Sequence, residues 1–265
     1  MSIITYKLLD EFTEIAHFCT DREGGVSMGN YASYNLSPFS GDNPSNFTEN
    51  KRILCKELGI DFENLIIPFQ THGTEIREID EAFFQLSNNE KLDYLNGVDA
   101  VFTKLPGICV GITTADCVPL LFFDPVKQVV AAAHAGWRGT CARIGEKTVL
   151  NLIENYSCNP ADIRVAIGPS ISVNVYEVGE DVIESFGVAG FDTTKIIEKR
   201  ADSCFLDLWK ANQQSLIKAG VLSEHIEISG FCTFTEHNRL FSARRLGIKS
   251  GRMLSGIMLH NVTIH

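Results

Sequence analysis

Three residues in this chain combine metal-binding and proton-transfer chemistry with the same kind of local setting. His72 stands in PFQTHGTEI, directly before Gly73. Cys117 stands in GITTADCVPLLFFD, between two apolar runs. His134 ends the run VVAAAHAG, after which the chain breaks into Gly136, Trp137, Arg138 and Gly139. Each lies at a strand edge or turn beside small residues, which is where open α/β proteins place their sites. One thiolate and two imidazoles suit Zn2+ or copper. Three protein ligands leave a fourth position for water or substrate, and a water held on zinc has a pKa of ~7, low enough to act as a nucleophile. The same trio fits a thiol mechanism, with a histidine base raising the thiolate fraction of Cys117. The spacing 72, 117, 134 corresponds to no zinc-finger pattern. Taken singly, a histidine at a strand end or a cysteine in an apolar run is most often simply buried.

A second constellation is cationic. Arg138 follows Trp137 at a strand-to-helix turn, with Gly136 and Gly139 permitting close backbone approach. Arg244 and Arg245 lie in FSARRLG. Guanidinium groups bind phosphate or carboxylate in bidentate fashion, and the helix start after Gly139 adds N–H groups for an anion. An ordinary surface ion pair is the competing reading. Asp99 and Asp116 are candidate proton donors by position. His17, His225, His237, His260 and His265, and the other seven cysteines, are read as ordinary structural residues.

The elements that must position these groups follow from pattern. In NPSNFTENKRILCKELG, Asn43 caps a helix, Pro44 suits its first turn and Gly59 its end. A second helix is expected from about Thr140 to about Tyr156, with Cys141, Ile144, Thr148, Leu152 and Ile153 on one face. A third starts at Asp207 and ends at Gly220. Strands are expected at 65–69, 100–103, 108–113, 118–123, 129–133, 163–167, 225–229 and 255–259. The stretch 83–95 reads as a helical or loop excursion. The mixture points to a single-domain α/β (α+β) fold with mixed β-sheets layered with helices.

Composition bounds the function. With 265 residues, 45% hydrophobic and 21% charged, the chain is an ordinary globular one. A net charge of −10 and no basic run exclude a nucleic-acid binder. No apolar stretch approaches the ~20 residues of a membrane helix. The start MSIITYKLLDEF lacks the order of a signal peptide, and the eight cysteines include no C-x-x-C pair, so a cytoplasmic protein with free thiols is expected.

Several motifs occur in one order: GGVSMGNYASYNL, QTHG, TADCVPLLFFD, HAGWRGT, AIGPSIS followed by YEVG, CTFT and FSARR. Together they resemble the bacterial polyphenol oxidase family, also known as the laccase-domain purine nucleoside phosphorylase family, over about Gly24 to Leu259. The resemblance implies a single α/β domain and a metal centre, usually zinc, on His72, Cys117 and His134. It implies phosphorolysis of adenosine, inosine, guanosine and methylthioadenosine, with deamination of adenosine. The partners would be a purine nucleoside and phosphate, bound by a monomer or homodimer. Asn35, Lys51, Arg138, Arg244 and Arg245 are the substrate and phosphate contacts it implies. This chain departs from the family in reading CTDREGG near its start, Asn50-Lys51 in its first helix and Ala243 before the arginine pair. Three other readings compete. One is a Cys–His thiol hydrolase editing peptidoglycan precursors, since some members resemble such a factor. A second is a non-catalytic scaffold fixed by a metal. The third is copper-dependent phenol oxidation, which 7 histidines and 4 methionines without clusters serve poorly.

Overall fold

Two β-sheets packed face to face carry the site, in a computed structural model that describes residues 3–261. His265 lies outside the described residues. The six-stranded sheet runs, in spatial order, Ile226–Ile228, Arg164–Ile167, Val118–Asp124, Val129–Ala135, Val98–Thr103 and Glu75–Glu78. The five-stranded sheet runs Ile3–Ile4, Ile15–Thr20, Met253–Leu259, Cys109–Thr114 and Leu65–Ile66. Both mix parallel and antiparallel pairs. A third sheet of three short strands, Glu177–Val178, Ser203–Leu206 and Ile197–Arg200, lies apart from these.

The continuous apolar runs are explained by burial on both faces. Leu121, Phe123, Val130 and Ala132 point into the layer between the two large sheets and meet Val110, Ile112 and Ile257 there. Their neighbours Leu120, Phe122, Ala131 and Ala133 point the other way, onto the helices Ile144–Tyr156 and Leu208–Lys218. The outer face of the five-stranded sheet is covered by the helix Pro44–Leu58 through Leu54 and Cys55. A strand covered on both sides loses the alternation of a half-exposed one and reads as an unbroken apolar stretch. Four layers result, helix on sheet on sheet on helix, in keeping with the α+β reading.

Two helices have the ends expected from sequence. The Asn43 side chain accepts from Ser45 N, and Gly59 closes the helix at φ 67°. Asp207 accepts from Lys210 N at the start of Leu208–Lys218. The stretch 83–95 holds two short helices, Glu81–Gln85 and Asn88–Tyr94. Two expectations need correction. The helix expected from Thr140 is two helices, Trp137–Cys141 and Ile144–Tyr156, separated where Arg143 turns left-handed at φ 61°. That kink is held from outside the helix. The Arg143 guanidinium donates to Ala189 O and Gly190 O and stacks on Phe191, contacts that local pattern does not reveal. The strand expected over 65–69 stops at Ile66, because Pro68 has no N–H to give to a ladder; Phe69 makes one isolated bridge, to Asn96. Among the described residues, no helix is long and apolar enough to cross a membrane.

Candidate metal centre and its cleft

The register of the six-stranded sheet brings the site together. Val118–Asp124 pairs antiparallel with Val129–Ala135, placing Val118 opposite Ala135 and Pro119 opposite His134. Cys117 therefore enters one strand just where His134 leaves the other. His72 arrives from a third place, the turn before Glu75–Glu78. The ligand atoms of His72, Cys117 and His134 lie within 4.8 Å of one another, and among the described residues they are the one such group of three His, Cys, Asp or Glu. His134 is buried, Cys117 half-buried and His72 exposed. The two imidazoles meet edge to face, with centroids 4.7 Å apart.

Asp99 organises the trio from behind. His134 Nδ1–H donates to Asp99 Oδ1 at 2.8 Å, which leaves Nε2 for the site. The same carboxylate accepts from three successive backbone N–H groups, those of Thr71, His72 and Gly73, at 3.2, 3.0 and 2.7 Å. That cradle holds the turn in which His72 sits at φ 62°. Burial raises the Asp99 pKa, but the His134 ring and these N–H groups outweigh it and hold the carboxyl below its usual range. Asp99 thus fixes two ligands while touching neither the cleft nor a substrate position.

The thiol and the imidazole perturb one another. Burial disfavours the Cys117 thiolate, yet the facing His134 and His72 bring its pKa down to about 6. Burial disfavours the His134 cation, yet Cys117 and Asp99 bring its pKa up to about 9. Each group thus favours the charged form of the other. A soft, anionic sulfur beside two imidazole nitrogens is the donor set a zinc or copper ion takes. Gly136 keeps the space free. A Cβ there would come within 3.0 Å of both Cys117 Sγ and His72 Cδ2.

The trio opens into a cleft of about 670 Å3, inside the range of ~300–1,000 Å3 typical of small-molecule sites. Arg244, Arg252 and Tyr176 form one part of its lining, and Phe39, Phe69 and Gln70 another. Arg244 lies 5.3 Å from the Tyr176 ring. The Arg252 guanidinium is clasped by Ser250 O, Gly251 O and Ile248 O, and among the described residues it forms no salt bridge, although the Asp116 carboxylate lies near enough to act on its charge. Arg252 stands in the unremarkable sequence SGRML and carries no motif, so sequence reasoning missed it, as it missed Tyr176 in YEVG. Asp116, at φ 86°, accepts from Thr233 Oγ1 and Arg244 N, both at 2.6 Å. Each of its oxygens accepts one hydrogen bond, so it anchors the arginine segment while lining the cleft.

The other implied contacts stand elsewhere. Asn35 is fully buried and outside the lining of the cleft. Lys51 lies 4.2 Å over the Phe62 ring and lines a separate cleft. Arg138 stacks on Trp137, and Arg245 donates to Phe234 O; neither lines the cleft that holds the trio.

Residues 16–260 match the family described as multi-copper polyphenol oxidoreductase laccase. The chain belongs to that family. It is 43% identical over 260 residues to a purine nucleoside phosphorylase of Bacteroides thetaiotaomicron, covering 97% of this chain and 96% of that one. It is 39% identical over 242 residues to adenosine deaminase RL5 of an unknown prokaryotic organism, covering 91% and 92% of the two chains. Among solved structures, the hypothetical protein YfiH of Bacillus licheniformis superposes with a TM-score of 0.90 at 31% identity, covering 97% of this chain and 96% of that one.

Proposed function

We propose that this family member is a cytosolic, zinc-dependent purine nucleoside enzyme. It would split adenosine, inosine, guanosine and methylthioadenosine with phosphate, giving the free base and the sugar 1-phosphate, and would also deaminate adenosine. The observation that carries the reading is the His72–Cys117–His134 trio opening on a cleft lined by Arg244 and Arg252. The names of the relatives, phosphorylase and deaminase, support the same substrate class.

The three residues fit a zinc ion, which when bound would supply Lewis acidity at the base of the cleft. The remaining work falls to the chain itself. Asp99 holds the tautomer of His134 and the turn of His72. Arg244 and Arg252 offset the negative charge of a phosphate brought against the sugar. Tyr176, whose pKa burial and the nearby Cys117 push up to about 12, keeps its hydroxyl proton and can donate it to a phosphate or ribose oxygen. In phosphorolysis the C1′–N bond breaks with its electron pair passing to the purine, which takes up a proton. A phosphate oxygen takes the vacated place on C1′.

Elemental analysis of purified protein beside an inosine-plus-phosphate assay tests this. We expect about one zinc per chain, with hypoxanthine and ribose 1-phosphate as products. Cys117→Ala removes both metal and turnover. A Cys117→Ala protein that keeps stoichiometric zinc and splits inosine overturns the reading.

One arrangement favours a second reading. Cys117, His134 and Asp99 are ordered as nucleophile, base and orienting carboxylate, the geometry of a thiol hydrolase acting on a peptidoglycan precursor. Activity in metal-free protein, abolished by thiol alkylation, supports that reading over the first.

A further inference from the structure

Resting on the reading that the cleft takes a purine nucleoside, the structure assigns the base to Phe39 and Phe69. In the phosphorolysis pose it is held there chiefly by stacking rather than by hydrogen bonds to its 6-substituent. The two rings meet edge to face, 4.7 Å between centroids and 76° between planes. Phe39 is 45% and Phe69 39% exposed, and both line the cleft that holds the trio. A contacting pair of half-bare phenylalanines is uncovered apolar surface that a folded chain ordinarily keeps small unless something binds it.

Most polar atoms beside the pair are engaged within the protein. Both ends of the Gln70 amide are taken by the Thr113 backbone, Nε2 donating to Thr113 O at 2.9 Å and Oε1 accepting from Thr113 N at 2.8 Å. Ser40 Oγ donates to Ser37 O and accepts from Asn35 Nδ2. Ser37 Oγ accepts from Phe39 N. This patch offers mainly π-surface, with the Ser37 hydroxyl and the second N–H of Gln70 as its spare polar hydrogens. The arginine patch is the reverse. Among the described residues, neither the Arg244 guanidinium nor the Tyr176 hydroxyl has a hydrogen-bond partner, so free donors await an anion there. A flat neutral base therefore goes to the phenylalanines and the phosphate to the arginines.

One side chain joins the two patches. Asn35 Nδ2 donates to Ser37 O, Ser40 Oγ and Asp42 Oδ2, which shapes the loop carrying Phe39. Asn35 Oδ1 accepts from Arg252 N at 3.0 Å. Asn35 is thus a positioning residue that ties the aromatic loop to the arginine segment.

Stacking tolerates any base, because every base has a π-face. Sites that hydrogen-bond a substituent reject its absence by factors of ~10^4–10^5, and apolar sites do not. We therefore expect inosine, adenosine and purine riboside, which lacks any 6-substituent, to be split with kcat/KM values within about tenfold of one another. Phe39→Ala should raise the KM for inosine about tenfold, leave the KM for phosphate unchanged and be rescued by Phe39→Trp. Phe69→Ala serves as the second variant if Phe39→Ala does not fold. Calorimetric binding of hypoxanthine to the same proteins, weakened to a similar extent, reads the base site without turnover. If wild type shows no phosphorolysis, the functional reading fails and the hypoxanthine titration alone decides the base site. If wild type splits inosine while both alanine variants keep its KM, the assignment is overturned. A preference above about a hundredfold among the three nucleosides overturns it equally.

Discussion

Replacing Gly136 by alanine isolates the metal site from the fold. The backbone at Gly136 has φ −64° and ψ 171°, a conformation open to alanine, so the change introduces no strain in the chain itself. Gly→Ala at a compatible position stabilises by about 0.4–1 kcal/mol through the unfolded state, while alanine is a poorer N-cap than glycine by a similar amount. The two nearly cancel. For a chain of this size, ~1 kcal/mol moves Tm by only about 2–4 °C. The new methyl, however, lands 3.0 Å from Cys117 Sγ and 3.0 Å from His72 Cδ2, and 3.8 Å from His134 Cε1. Ordinary contact begins near ~3.5–4.0 Å, so two ligands must each retreat by a few tenths of an ångström. Neither has room to do so freely. Cys117 follows Asp116, which is pinned by Thr233 and Arg244, and His72 is held by the Asp99 cradle. Metal sites tolerate displacements of only about 0.2 Å. We expect zinc affinity to fall at least 10–100-fold, the range seen when a supporting residue of a metal ligand is lost. Competition against a chromophoric chelator measures that fall, and thermal unfolding of the metal-free proteins measures the fold. Wild-type zinc affinity in Gly136→Ala would refute the steric argument. A metal-free variant melting more than about 5 °C below wild type would show that the glycine serves folding instead.

Asp99→Asn should lower zinc affinity about 10–100-fold, because the amide can present one acceptor oxygen and not two, to His134 and the three N–H groups of the turn; an unchanged affinity in the chelator assay would remove Asp99 from its organising role. In metal-free protein, Cys117 should alkylate with a rate that rises with pH through about 6, where an unperturbed thiol would wait for ~8.5, because the facing histidines favour its charged form. Burial pushes Cys19, Cys55, Cys109, Cys141 and Cys158 the other way, so peptide mapping at pH 7 should find Cys117 labelled ahead of these, and saturating zinc should protect it.

How far the site was legible follows from where its information lies. His72, Cys117 and His134 are each visible because a polar residue interrupts or ends an apolar run next to a small one. Asp99 was visible only as an acid at a convenient position. Its role depends on a loop 27 residues earlier and a histidine 35 residues later, and nothing in the string VDAV encodes either partner. Arg252 and Asn35 exchanged places for the same reason. Family likeness put Asn35 at the substrate, whereas its five hydrogen bonds to loop and backbone use it up inside the protein. Arg252 gained its position from backbone bonds to distant loops, Arg252 N to Asn35 Oδ1 and Gly251 N to Asn30 O. Most strands covered on both faces were legible; Ile15–Thr20, buried but broken by His17, was not, and neither was Glu75–Glu78, whose sequence is EIRE. It is an edge strand paired on one side, and its charges look like those of a loop.

The run VVAAA gains a physical meaning from this arrangement. Ala131, Ala133 and Ala135 face the helices, while Val130 and Ala132 face the second sheet, and all are fully buried. Small side chains on both faces let helix and sheet close tightly on the strand, which fixes its height between them. A strand pinned on both sides delivers its last polar residue to one place. A larger residue at any of those alanines would push the strand away from one layer and carry His134 with it, although none of them touches the cleft. The precision of the metal site is therefore built into the packing of five residues without polar side chains, and Gly136 keeps open the space into which they deliver the imidazole.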